Sequence, residues 1–422
     1  MQTRTRLSLL VAFSLALPLV AIELAARFAH PFGIEFDYAT LRDNVSQRDD
    51  SSALASPPKE KGFFTRFGIH PYVGFALRDQ SDEESKYGFW GGEKLFSKSD
   101  ERVVVVLTGG SVAKWVYIER GDVLRAALEQ LPVFAGKRVE LVCTALGGYK
   151  QPQQLFSLMY FLALGGHFDV WVNLDGFNEV TLTGQENWKS NTAIAFPRSW
   201  PEFASTALDP DLLELAIQVG VERAHRETLR ECVLRFRVNQ SALGLMLWKQ
   251  RDRRYESRIF GLQQQAEQQA HRRARPDYLL GPKSEHASRD ELLRDAVRLW
   301  SDSSLQMHYV CAANGIRYVH LLQPNQYVPD SKPLSNEERR TAFVEGEYST
   351  KTYVREGYPL LREAGKSLAG QGVRFTDLSY LFAQEPETIY RDTCCHINEY
   401  GSEILAQAIA DAVGEAYKAT ID

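Results

Sequence analysis

Val103 to Leu107, five apolar residues of which four are β-branched, run into Thr108-Gly109-Gly110-Ser111 and then into a segment of helical character. A short apolar run of this kind predicts a buried strand, and the two glycines end it. Ser111 is therefore left at a strand-to-helix turn. Backbone N–H groups at a helix N-terminus face outward and favour negative charge, so the position suits a nucleophile whose reaction develops an oxyanion. The plainer alternative is a turn in which the serine only caps the helix. Partners elsewhere in the chain must decide between the two.

The surrounding sequence alternates in the α/β manner. A strand over 103–107 is followed by a helix over about 112–130, a strand over 138–143, a glycine turn, a helix over about 151–164 and a strand over 169–174. Later come a helix over about 289–313, strands over 316–322 and 373–377 separated by a variable region, and a helix over about 400–418. Five strands linked by helices of this length predict a mostly parallel sheet with right-handed crossovers. Functional loops in such sheets gather at the carboxyl ends of the strands. Ser111, Gly147-Gly148 and Asn178 each follow a predicted strand, and so would share one edge.

Outside that frame the sequence changes character. Arg4 and Arg6 precede an apolar run from Leu7 to Ile22 interrupted only by Ser8, Ser14 and Pro18. This predicts an uncleaved signal anchor over residues 1–29, the N-terminus cytoplasmic and the rest of the chain extracytoplasmic, with a cleaved signal peptide as the alternative. Residues 30–100 read as a linker, with Ser51 to Pro58 at its centre, and an aromatic and glycine-rich N-terminal cover. The domain proper spans 101–422. Its stretch from about 185 to 300 is rich in Arg, Gln and Glu and reads as a solvated helical insertion, a lid or a protein-partner surface.

Composition removes several classes. A net charge of -5 gives no basic footprint for nucleic acid. Five scattered cysteines make no disulfide scaffold and contain no C-x-x-C pair. No Gly-Lys-Ser/Thr follows the first strand, Ala113 breaks the Gly-x-Ser-x-Gly elbow of α/β-hydrolases, and no His-Glu-x-x-His is present. No cofactor or metal is expected.

Acyl transfer by a serine needs a base, a group to orient it, and oxyanion donors. His396, in the last loop before the last helix, can fold back over the first strand's end, and Asp392 lies four residues before it. Together these residues resemble the SGNH, or GDSL-like, hydrolase superfamily over roughly residues 63–180 and 316–418. Thr108-Gly109-Gly110-Ser111 resembles its first block, in a Gly-Gly-Ser form. Ala145-Leu146-Gly147-Gly148-Tyr149, with Gln151 and Gln154, resembles the second, and Asp175-Gly176-Phe177-Asn178-Glu179 the third. Asp392 with His396 resembles the last. His70-Pro71-Tyr72 and Tyr87-Gly88-Phe89 resemble the lead-in of membrane-anchored bacterial members.

The resemblance implies a flavodoxin-like three-layer α/β/α sandwich and a serine esterase. Ser111 would be the nucleophile, His396 the base and Asp392 its orienting group. Ser111, Gly148 (or Gly147) and Asn178 would form the oxyanion hole. Glu179 stands where the family has aspartate. Thr393 occupies the family's usual aspartate position, so a triad through Asp392 and a Ser–His dyad are both open. The vicinal Cys394-Cys395 reads as two small buried residues, or as a redox-sensitive pair. The implied substrates are O-acyl esters, O-acetyl among them, on a small molecule or on cell-surface or exported polysaccharide. O-acyl transfer by the same residues and a non-catalytic surface or assembly protein keeping the fold are the alternatives.

Overall fold

A computed structural model describes residues 67–78, 87–201, 210–272 and 281–418, with Glu23, Tyr38, Leu41, Arg42, Val45 and Phe203 as single positions. The expected anchor from Leu7 to Ile22 and the Ser51 to Pro58 linker lie outside the described residues. Among the described residues no helix is long and apolar enough to cross a membrane. The chain divides into two compact units, one of residues 63–201 and 275–422 and one of residues 1–62 and 202–274.

The first unit is built on a five-stranded, all-parallel sheet of β3 (Arg102–Gly109), β4 (Arg138–Cys143), β5 (Val170–Asp175), β6 (Arg317–Leu322) and β7 (Arg374–Asp377). Their order across the sheet is β4-β3-β5-β6-β7. β3 is buried from Val103 onward and β5 along its whole length. This is why both read as continuous apolar runs rather than alternating ones. The chain moves outward from β3 to β4, then crosses back past β3 to β5. With right-handed crossovers this puts α1 (Ser111–Glu129) and the last helix, α9 (Glu399–Lys418), on one face. α2 (Gln153–Ala163), α6 (Arg289–Ala313) and α8 (Ser349–Gly370) take the other. The reversal falls between β3 and β5, and ligand crevices open at the carboxyl ends of strands flanking such a reversal.

Several elements carry no counterpart in the sequence reading. β1 (Phe67–His70) and β2 (Gly74–Leu77) form a hairpin in the expected N-terminal cover. The variable region between β6 and β7 holds α7 (Asn336–Thr341) and α8. α8 contains Pro359, a residue that reads as a breaker in sequence. The expected helix over 289–313 is α6, and it belongs to the sheet unit.

The second unit contains α4 (Pro210–Arg235) and α5 (Ala242–Arg272), packed against each other. Val45, Val233, Ala242, Leu245 and Trp248 form its buried cluster. Asp252, buried, accepts from Arg226 Nε at 2.6 Å, and Arg226 also reaches Glu256 at 2.8 Å. Glu23 caps α5, accepting from the N–H groups of Ala242 at 2.6 Å and Leu243 at 3.0 Å.

Candidate active site

Gly110 is the N-cap of α1 and Ser111 its first residue, and no side chain caps this helix. The Ser111 hydroxyl is committed elsewhere, to His396 Nε2 at 2.8 Å. On the other side of the ring, His396 Nδ1 donates to Asp392 Oδ2 at 2.5 Å. Ser111, His396 and Asp392 thus lie on one line of hydrogen bonds joining positions 285 residues apart.

The loop carrying His396 is held from several directions. It closes on a bridge between Tyr390 and Ile397, with Arg391 N–H donating to the His396 carbonyl at 3.0 Å. Arg391 reaches Glu119 of α1 at 2.7 Å. Asn325 and Gln326, just past β6, donate to the carbonyls of Cys394 at 3.1 Å and Asp392 at 2.9 Å. Asp392 Oδ1 accepts the N–H groups of Cys394, Cys395 and His396 at 2.9, 3.1 and 3.3 Å. Burial disfavours charge on Asp392, but the His396 hydrogen bond and charge, with the backbone donors, outweigh it and hold the carboxyl below its ordinary range.

The surroundings of Ser111 are assembled by close backbone approaches. Asn178, buried at the start of α3 (Phe177–Leu182), donates from Nδ2 to the Tyr149 carbonyl at 2.7 Å. A Cβ on Gly110 would stand 2.4 Å from that same Nδ2. The amide therefore lies directly against the backbone leading into Ser111. Gly148, at φ +83°, precedes Tyr149, and a Cβ there would meet the Arg198 side chain at 2.4 Å. Among the described residues, neither Gly147 nor Gly148 donates its N–H to a protein acceptor. The N-terminal hairpin fixes this loop from outside. Tyr149 Oη donates to the Phe75 carbonyl and Gln153 Nε2 to that of Val73 at 2.8 Å.

Beneath these groups lies a buried polar network that the sequence did not reveal. Asp175, at the end of β5, accepts from Asn173 at 2.7 Å, Gln151 at 3.1 Å, Trp300 at 2.6 Å and His320 at 2.9 Å. Burial works against its charge, but His320 first, then Trp300 and Asn173, keep it below the ordinary carboxylate range. Glu179 accepts the N–H of Gln151 and of Gly176, each at 2.9 Å, and so ties the second sequence block to the third. Burial foremost, then the charge of Asp175, pushes Glu179 up to about 8. Lys150 is buried with its ammonium on the carbonyls of Ile194 and Phe196, and burial lowers it to about 8. None of His320, Trp300 or Lys150 carries a motif, and only the fold brings them together.

Cys395 is buried. Its sulfur stands 3.2 Å from that of Cys394. Among the described residues, Cys394, Cys395 and His396 form the one His/Cys/Asp/Glu group spaced to hold a metal ion, its ligand atoms within 4.8 Å of one another.

Every residue expected to act is at the carboxyl edge of the sheet. Ser111, His396 and Asp392 are in direct contact, and Asn178 and the Gly148-Tyr149 backbone are brought beside Ser111. The arrangement can deprotonate a serine hydroxyl and surround an oxygen attached to it with N–H groups. The sequence matches no protein-family model and no curated protein.

Proposed function

We propose that the chain is a serine esterase of the SGNH type, with a flavodoxin-like three-layer fold, that hydrolyses O-acyl esters. The observation that carries the reading is the hydrogen-bonded line Ser111 Oγ, His396 Nε2, His396 Nδ1, Asp392 Oδ2. Ser111 Oγ attacks the acyl carbon while His396 Nε2 takes its proton. His396 then returns that proton to the departing alcohol oxygen, leaving an acyl-serine. Water, deprotonated by His396, attacks the acyl carbon and releases the acid. Asp392 keeps the imidazole in the tautomer that presents a free Nε2 and stabilises the imidazolium. The N–H groups of Ser111 and Gly148 and the Asn178 amide hold the oxyanion, each such donor contributing about 2.7–4 kcal/mol to transition-state stabilisation.

The apolar run from Leu7 to Ile22, behind Arg4 and Arg6, supports a membrane-anchored protein with this site extracytoplasmic. An acylated polysaccharide outside the cell is the substrate class that placement favours.

Labelling by a fluorophosphonate tests the chemistry directly. The wild type reacts at Ser111, and Ser111→Ala and His396→Ala do not. Failure of the wild type to label refutes the reading and favours a non-catalytic scaffold. With an acetylated polysaccharide, free acetate is the expected product. Acetyl appearing on an added sugar in its place identifies a transferase.

A further inference from the structure

We propose that Cys394, Cys395 and His396 form a site for a soft divalent cation of the zinc type, and that an ion held there takes His396 away from Ser111. The inhibitory half rests on Ser111 being the nucleophile, whereas the binding half does not.

Neighbouring side chains in extended backbone point to opposite sides. Here Asp392 Oδ1 gathers the N–H groups of three consecutive residues into one turn. That turn brings both sulfurs and an imidazole nitrogen within 4.8 Å of one another. On a tetrahedral ion with Zn–S of about 2.3 Å, two sulfurs stand roughly 3.8 Å apart. The sulfurs here are 3.2 Å apart, so the pair need open by only about half an ångström.

The imidazole is oriented as metal-bound histidines are. A ligating histidine commonly donates its other ring N–H to a carboxylate, which fixes tautomer and ring plane. His396 Nδ1 already makes that bond to Asp392, so the nitrogen left for an ion is Nε2, the one now facing Ser111. Two thiolates and one neutral imidazole leave a fourth position for water or the Ser111 hydroxyl. Both thiol protons pass to solvent as the two S–metal bonds form. The occupied site has no base for Ser111.

Chelation fits these sulfurs better than a disulfide between them. Adjacent Cα atoms stand about 3.8 Å apart across a trans peptide, short of the roughly 4.4–6.8 Å that disulfides span. A bridging ion asks for no such distortion.

The test uses the full chain, stripped with EDTA and dialysed, with Zn²⁺ alone as the probe. Competition against a zinc-binding dye is expected to give one site per chain, weakened at least about tenfold by Cys394→Ser. Cys394 is half-exposed, so this variant is expected to fold, and Cys395→Ala repeats the measurement at the buried thiol. Zinc is expected to slow fluorophosphonate labelling at least about tenfold in the wild type, EDTA to restore it, and Cys394→Ser to label at the same rate with and without zinc. Absence of stoichiometric zinc binding, or unchanged affinity in Cys394→Ser, overturns the site. Zinc bound with labelling unslowed overturns the inhibition. If Ser111 fails to label even without zinc, the esterase reading falls, and dye competition alone decides the site.

Discussion

Asp392 divides its oxygens between two tasks. Oδ2 holds the imidazole, and Oδ1 holds the N–H groups of the turn that carries it. Asparagine can keep the second task through its carbonyl, but it presents an NH₂ to Nδ1. The proton then sits on Nε2, which can no longer accept one from Ser111. Asp392→Asn is expected to lower kcat on an aryl ester by about 10⁴-fold with little change in melting temperature. Asp392→Ala removes both tasks and should lower stability as well. Turnover by Asp392→Asn within tenfold of wild type would mean that Ser111 and His396 act as a dyad. The sequence left triad and dyad open for a physical reason. Whether a carboxylate four residues ahead reaches its histidine depends on the turn between them, and here the aspartate's own side chain makes that turn.

At the scale of the element, the junction of β3 and α1 requires glycine twice, for different reasons. Gly109 has φ +142° and pairs with Leu174 of β5, and a Cβ there would stand 2.0 Å from the Leu174 carbonyl oxygen. A backbone atom in the central strand cannot give way. Gly110 has ordinary φ, and its added Cβ would press on the end of the Asn178 side chain. Gly109→Ala is therefore expected to destabilise the sheet unit by at least about 1–3 kcal/mol from backbone strain alone. Gly110→Ala should displace Asn178 and slow labelling of Ser111 by about 10²–10³-fold, as loss of an oxyanion donor does. Thermal unfolding and labelling rates separate the two. A Gly110→Ala variant that labels at the wild-type rate would remove Asn178 from the oxyanion hole. The five strands and the edge bearing Ser111, Gly148 and Asn178 were legible because buried parallel strands write themselves as short apolar runs ended by glycine. α8 was not, since Pro359 interrupts its pattern. Nor was the role of the β1-β2 hairpin, whose contacts with the Tyr149 loop join residues about seventy-five positions apart.

For the molecule as a whole, the buried Asp175 and Glu179 make stability depend on pH in two separate windows. Asp175 is held below its ordinary 3.8 despite burial, chiefly by His320, so its contribution is present above that value and is lost as pH falls through the folded one. Glu179 runs the other way. Its folded value of about 8 lies above the ordinary 4.5, so between those limits the folded chain keeps a proton that the unfolded chain has lost. Stability therefore falls as pH rises from 4.5 to about 8 and levels off above that window. Hydrogen exchange of the β5 amides, corrected for the intrinsic pH dependence of exchange, reads this in the sheet unit without requiring the two units to unfold together. Protection is expected to decline between pH 5 and 8 in the wild type. Glu179→Gln cannot titrate, and it also loses one of two carboxylate acceptors for the Gln151 and Gly176 N–H groups. The variant should begin less protected and show a flat profile over the same range. An equal slope in both proteins would assign the pH dependence to another group and leave Glu179 as a tie between the loops after β4 and β5.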